Sequence, residues 1–193
     1  MSKRFSTLLA LLVVGLVLVA CGGGASGGDA LECTDEIGCV EVGPDDPIRI
    51  DSALVISGPN AQLGLDSQYG VEIAISMAGD VLGHSVELQA EDDGCNAEGG
   101  QAAGQLIASD PSIVAAIGTS CSGAGVPMSQ VLSEAGYAMV SPSNTAPSLT
   151  DPEQAFNPGY LRTAHNDLVQ GQARAEFPYN AWGAMTAAAI HDG

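Results

Sequence analysis

Residues 113–140, IVAAIGTSCSGAGVPMSQVLSEAGYAMV, decide the fold class of this chain. They begin with five consecutive apolar residues, 113–117, which is typical of a strand buried in the centre of a parallel sheet. A polar loop follows at 118–123, and residues 124–135 then fit a helix. A short apolar stretch at 138–140 predicts the next strand. A strand, a helix and a second strand in this order predict two parallel strands joined by a crossover helix.

The same alternation extends to both sides of this stretch. Further strands are predicted at 48–55, 86–90, 161–163 and 185–190, and further helices at 66–78, with Asp66 or Ser67 as the cap, at 98–109 and at 166–177, with Asn166 as the cap. Strands that alternate with helices in this way indicate an α/β protein with a Rossmann-like, doubly wound parallel sheet.

The first 46 residues differ in composition from the rest and predict export. Residues 1–20 combine a basic start with a short apolar run, which is typical of a removable secretory signal. The run ends in Leu-Val-Ala-Cys at Cys21, which resembles the lipobox where bacterial lipoproteins are cleaved and acylated. Acylation of Cys21 would anchor the protein to the membrane outside the cytoplasm. Residues 21–46 would be a flexible tether, and 47–193 the folded ligand-binding lobe.

The charge of the chain excludes nucleic acid as a partner. There are five basic residues against 23 acidic ones. Two of the basic residues, Lys3 and Arg4, lie in the predicted signal, which leaves Arg49, Arg162 and Arg174 for the folded part. Such an acidic surface repels phosphate backbones.

Four cysteines remain besides Cys21, namely Cys33, Cys39, Cys95 and Cys121. An even number outside the cytoplasm predicts two disulfides, and three pairings are possible. A metal site is the alternative, but no pair of ligands has the spacing typical of zinc sites. The three histidines are scattered, and we interpret them as solvated or structural. No metal and no cofactor is predicted.

An enzyme is a weaker alternative. Residues 118–122, GTSCS, differ from the G-x-S-x-G nucleophile motif at Ser122, which replaces the final glycine. His165 and His191 have no evident acidic partner in the sequence. The acidic pair Asp92 and Asp93 is interpreted as a solvated turn. We therefore expect no catalytic residue and no enzymatic activity.

The loops that follow the strands resemble those of the leucine/isoleucine/valine-binding protein family, which has the type I periplasmic binding protein fold. Seven segments carry the resemblance in the family's order: SGPNAQLG at 57–64, DDGC at 92–95, GTSCS at 118–122, SPSNTAPSLT at 141–150, RTA at 162–164, QG at 170–171 and IHD at 190–192. The likeness covers residues 48–193. It implies a two-lobed clamp, of which this chain holds the first lobe, and a disulfide between Cys95 and Cys121.

The resemblance also implies a binding site. In the family the first lobe holds the carboxylate of an amino acid. That role falls here to the hydroxyl and amide of Ser122, the backbone of Ser143, and the hydroxyl and amide of Thr145. Leu63 stands where many relatives have an aromatic residue that covers the ligand, so the ligand's side chain is not implied.

The residues support this site independently of the family. Ligands of doubly wound sheets bind at the carboxyl ends of the strands, and both Ser122 and Thr145 follow strands. Ser122 also directly precedes a helix, whose first amides favour an anion. The plainer interpretation is that Ser122 and Thr145 merely cap helices or form turns.

These observations predict a solute-binding lipoprotein that delivers branched-chain amino acids, or a related small carboxylate or amide, to an ABC permease. A sensor domain of the same fold is the second hypothesis. The family's second lobe is missing from this sequence, so we interpret the chain as a fragment or a truncated product. A self-sufficient protein of one lobe is the alternative, which is less consistent with the internal strand predicted at 185–190.

Overall fold

The computed structural model describes residues 32–35 and 37–190. The residues from Cys33 onward belong to one compact unit. The strands are β1 (Ile48–Leu54), β2 (Val86–Asp92), β3 (Ile113–Gly118), β4 (Met139–Ser141) and β5 (Tyr160–Arg162), and the helices are α1 (Ala61–Ala78), α2 (Ala97–Ala108), α3 (Ser122–Glu134) and α4 (Asp167–Trp182). The predicted signal at 1–20, the lipidation site Cys21 and the landmark His191-Asp192 lie outside the described residues.

The five strands form one parallel sheet in the order β2-β1-β3-β4-β5. Its two faces carry different helices. Ala53 of β1 belongs to a core with residues of α2 and α3, whereas the neighbouring Ser52 donates a hydrogen bond to Gln68 of α1 at 2.8 Å. Because adjacent residues of a strand point to opposite faces, α1 lies on one face and α2 with α3 on the other. The predicted Rossmann-like, doubly wound sheet is confirmed.

The core lies between the sheet and the pair α2 and α3. Its members are Ala53, Ala103, Ile107, Ile113, Ala116, Met128, Leu132, Tyr137, Met139, Leu149 and Tyr160. The two helices approach each other closely at Gly100, where an added Cβ would lie 2.2 Å from the carbonyl oxygen of Ala124. Any side chain at residue 100 would therefore force the helices apart.

Helix α1 begins earlier than its predicted cap. Its first residue is Ala61 and its N-cap is Asn60, so Asp66 and Ser67 lie inside the helix. There Asp66 accepts a hydrogen bond from Gln62 at 2.7 Å, four residues before it. The prediction was wrong because acidic and hydroxyl residues also occur on the exposed face of a helix, where they bond to the preceding turn.

The last predicted strand, 185–190, is not formed. Asn166 does cap α4, since its side chain accepts hydrogen bonds from the amides of Leu168 and Val169. The helix continues to Trp182, however, and none of its residues is buried. A strand needs a neighbour that pairs with it and a layer that covers it. Residues 183–190 have neither and are irregular, and Ile190 is fully exposed.

Part of the predicted tether contacts the lobe. Cys33 and Cys39 are bonded to each other, with their Cα atoms 5.8 Å apart. Within this loop the carbonyl of Ile37 lies so near Gly136 that a Cβ on that glycine would come within 2.5 Å of it. Gly136 lies in the turn before β4, so this segment reaches the amino ends of the strands.

One buried side chain of the sheet has no partner. Asp51 of β1 is fully buried, and neither of its carboxylate oxygens has a hydrogen bond within the described part of the chain. Burial, followed by repulsion from Glu91 and Asp110, raises the pKa of Asp51 to about 7, and the charge of Arg49 only partly opposes this. The carboxyl group therefore titrates near neutral pH.

Candidate functional site

The candidate site lies at the carboxyl edge of the sheet, where the loops after β1, β3 and β4 meet. β1 and β3 are neighbours, but the chain leaves β1 toward β2 on one side and leaves β3 toward β4 on the other. Their loops consequently diverge and open a crevice. In sheets of this order, ligands bind in that crevice.

Two of the predicted binding residues meet at this edge. Ser122 is the first residue of α3, and its hydroxyl oxygen accepts hydrogen bonds from the amides of Thr145 and Ala146, each at 3.2 Å. Ser122 and Thr145 are both half-buried. Loops 23 residues apart in sequence are thus joined at the two positions that the sequence proposes.

The hydrogen bonds determine which donors remain for a ligand. The Thr145 amide, which the sequence proposes as a donor, is engaged by Ser122. The Ser122 oxygen accepts two hydrogen bonds, so its own hydrogen points elsewhere. That hydrogen, the Thr145 hydroxyl and the amides of Ser122 and Gly123 have no partner among the described residues. Four donors are thus available around the first turn of α3.

Ser143 differs from Ser122 and Thr145 in that it leaves a backbone acceptor free for a ligand, not a donor. Its amide donates to the Ser141 hydroxyl at 3.3 Å, and its own hydroxyl donates to the Ser120 carbonyl at 2.7 Å. Its carbonyl accepts no hydrogen bond from the described residues. A free carbonyl next to free donors is suited to a solute that carries both an ammonium and a carboxylate.

Leu63 lies on the first turn of α1 and is 47% exposed. Because α1 follows β1, this places Leu63 at the same edge of the sheet as the hydroxyl residues. The order of the strands and helices places Leu63 at this edge, and no hydrogen bond of the site involves it.

A buried polar network supports the site from below. Asn144 is fully buried, and its amide group donates to the carbonyl of Thr119 at 2.9 Å. Ser141 donates to the same carbonyl at 2.9 Å and accepts the amide of Asn144 at 2.9 Å. These bonds fix the loop after β4 against the loop after β3. Sequence reasoning missed Asn144, although it stands between Ser143 and Thr145 in a proposed binding loop.

The acidic turn after β2 is structural in this fold. Asp93 is fully buried and accepts the amides of Cys95 at 2.7 Å and Ser120 at 2.8 Å. Burial nevertheless raises the pKa of Asp93. The prediction that this pair is a solvated turn was therefore wrong for Asp93, because the strand ends supply amides that hold its carboxylate in the interior.

Asp92 is exposed and joins the turn to the loop after β1. It accepts hydrogen bonds from the Ser57 hydroxyl and from the amides of Gly94 and Ile56. Burial disfavours the charged form, but these hydrogen bonds outweigh it and lower the pKa of Asp92. The carboxylate therefore stays ionised and holds the first loop in place.

Cys95 and Cys121 are bonded, with their Cα atoms 5.0 Å apart. The disulfide places the turn after β2 directly beside Ser122. Of the described residues, no group of three or more histidine, cysteine, aspartate or glutamate side chains is arranged to hold a metal ion.

Comparison with known proteins identifies relatives of this chain. Residues 70–182 match the model of the receptor family ligand binding region. The chain is 33% identical over 151 residues to Leu/Ile/Val-binding protein homolog 3 of Brucella melitensis, an alignment that covers 75% of this chain and 39% of the relative. It is 30% identical over 139 residues to an amino acid binding protein of Pseudomonas aeruginosa, covering 70% and 36%.

Solved structures agree with the sequence comparison. A leucine binding protein, LivK, of Thermotoga maritima superposes with a TM-score of 0.65 at 26% identity, covering 71% of this chain and 38% of that one. The chain thus spans about two fifths of the length of such relatives. It belongs to the type I periplasmic binding protein family, of whose longer members it matches the N-terminal portion.

Proposed function

We propose that this chain is the carboxylate-binding lobe of an extracytoplasmic solute-binding protein for branched-chain amino acids or related small carboxylates. The observation that carries the proposal is the contact between Ser122 and the Thr145 loop at the start of α3. It gathers free donors from two loops at the edge of the sheet where ligands of this fold class bind.

The donors match the chemistry of an amino acid. The hydroxyls of Ser122 and Thr145 and the first amides of α3 would bind the carboxylate, which the helix dipole also favours. The carbonyl of Ser143 would accept a hydrogen bond from the ammonium. A single lobe covers one side of a solute, so we expect binding by this chain alone to be weak.

The relatives support the class of ligand, since their names describe amino acid and leucine binding proteins. We further propose that Cys21 is lipidated after removal of residues 1–20, and that residues 21–46 tether the lobe outside the cytoplasm. The partner would be an ABC permease that receives the solute. Neither the hydroxyl residues nor Asp92 and Asp93 are proposed to be catalytic.

A ligand-sensing receptor domain is the second candidate, because the matching family model describes the ligand-binding region of receptors. None of the described helices is sufficiently long and apolar to span a membrane. Deleting the gene would distinguish the two candidates. Loss of amino acid uptake would favour transport, whereas loss of a transcriptional response with normal uptake would favour sensing.

The binding site is tested by titrating the ¹⁵N-labelled chain with L-leucine and following its amide signals by NMR, which detects weak binding. Thr145→Val removes the hydroxyl with little change of shape, and Ser122→Ala removes the other. Each should weaken binding about tenfold, because a hydrogen bond to a charged group is worth about 1.5–3 kcal/mol. Ser109→Ala, at an exposed helix end, is the matched control. Equal affinities in all four proteins would show that the site is misplaced.

A further inference from the structure

Arg162, the last residue of β5, holds the loop that carries Thr145. Its guanidinium donates to the carbonyl of Ala146 at 2.8 Å and to that of Asn144 at 3.4 Å. It thereby binds the residues on both sides of Thr145. A third hydrogen bond, to the hydroxyl of Thr150 at 2.7 Å, reaches the far end of the loop.

The hydrogen bonds of Arg162 are connected to the proposed binding residue Ser122 through Ala146. The peptide of Ala146 is bonded at both ends, since its carbonyl accepts from Arg162 and its amide donates to the hydroxyl of Ser122 at 3.2 Å. Only one residue therefore separates the guanidinium from the hydroxyl that we propose as a ligand donor. The planar fork of arginine is suited to this task because it presents several donors in fixed directions.

The charge of Arg162 is not neutralised nearby. In the described part of the chain, no carboxylate forms a salt bridge with it, whereas Arg49 pairs with Glu87 and Asp110. The whole chain carries a formal charge of −18, so most of its surface repels anions. This half-buried, unpaired guanidinium is linked to the Ser122 hydroxyl through the single peptide of Ala146, so it places a positive charge near the site in a protein that is otherwise acidic.

We infer that Arg162 is a positioning and specificity-determining residue: it fixes the Thr145 loop against Ser122, and its free charge makes the site prefer a carboxylate to a neutral group. The inference rests on the proposed function, because it concerns the same site. The charge of Arg162 adds to the modest preference for an anion that the start of α3 provides, whereas the hydroxyls bond to carboxylates and carboxamides alike.

The charge is tested by comparing L-leucine with L-leucinamide, which lacks the carboxylate, in NMR titrations of the wild type, Arg162→Met and Arg162→Lys. Arg162→Met should weaken binding of both ligands because it loosens the loop, but it should weaken L-leucine about fivefold more than L-leucinamide, the scale of one solvent-accessible charge interaction. Arg162→Lys keeps the charge and should retain the wild-type ratio of the two affinities. Equal losses for both ligands would overturn the role of the charge.

The positioning role is tested without any ligand. In Arg162→Met and Arg162→Lys, hydrogen exchange of the amides of Thr145 and Ala146 should be about tenfold faster than in the wild type, while that of Ile117 in β3 stays unchanged. Unchanged exchange at Thr145 would overturn this role. If the wild type shows no response to L-leucine, the proposed function fails and the preference for a carboxylate fails with it, whereas binding with unaltered selectivity in Arg162→Met contradicts only the inference.

Discussion

Asp51 and Asp93 are both fully buried carboxylic acids on the same sheet, yet their surroundings differ. Asp93 follows β2 and accepts two amides from the strand-end loops. Asp51 lies within β1, between β2 and β3, and has no partner in the described part of the chain. Inside a sheet, each strand bonds its amides to its neighbours, so no donor is left for a side chain. The carboxyl edge of the sheet thus offers free backbone amides to a buried carboxylate, whereas the backbone of its middle offers none.

The largest expected effect is the dependence of stability on pH at Asp51. Its pKa is raised in the folded state, to about 7, so between about pH 4 and 7 only the folded protein retains the proton. Its contribution to the free energy of unfolding is therefore complete below about pH 4 and is lost as the pH rises through 7, in total about 4 kcal/mol.

Urea denaturation at several pH values between 4.5 and 8 tests this prediction. Asp51→Asn cannot ionise and should remove this part of the slope, whereas the exposed control Asp80→Asn should keep it. Parallel pH profiles of the wild type and Asp51→Asn would contradict the unpaired state of Asp51.

The second prediction compares alanine variants of the two aspartates, whose effects on the free energy of unfolding should have opposite signs. Asp93→Ala leaves the amides of Cys95 and Ser120 without an acceptor in a buried place, which should cost about 3 kcal/mol of unfolding free energy. At pH 8, Asp51→Ala should instead stabilise the protein, because it removes an unpaired charge. Urea midpoints of the two variants measure the contrast, and a loss of the same size in both would remove the distinction between edge and middle.

The smallest effect concerns a polar residue of β1 that does find a partner. Ser52 is buried next to Asp51, but on the other face, where Gln68 of α1 accepts its hydroxyl at 2.8 Å. Ser52→Ala should cost about 1 kcal/mol, the usual net value of such a hydrogen bond. Thermal unfolding suffices to measure it. A gain in stability would show that the hydrogen bond to Gln68 does not compensate for the cost of burying the Ser52 hydroxyl.

The sequence predicts the sheet well because apolar runs such as 113–117 and the loops between them are local signals. The contact of Ser122 with the Thr145 loop also follows, since parallel strands bring their carboxyl ends to one edge. The roles of Asn144, Arg162 and Asp93 could not be predicted from the sequence. Each depends on loops that only the folded chain brings together, and a polar residue in a loop looks the same whether it is solvated or buried.

The prediction of a last strand at 185–190 was wrong for a related reason. The apolar character of 185–190 allows a strand, but pairing requires a neighbour, and β5 has only three residues. The first turn of α1 was missed because Asp66 and Ser67 are residue types that often cap helices, although here they lie inside the helix. In both places the local sequence permits several structures, and packing selects one.

The close approach of α2 and α3 has a consequence for recognition. The collision that a methyl group at Gly100 would cause falls on Ala124, two residues beyond Ser122 and within the same first turn of α3. Helices in backbone contact cannot slide past each other, so the donors of this turn are already held in one arrangement before a solute arrives. Little conformational entropy is then lost on binding, and a shallow, half-open surface gains affinity by preorganisation rather than by enclosure.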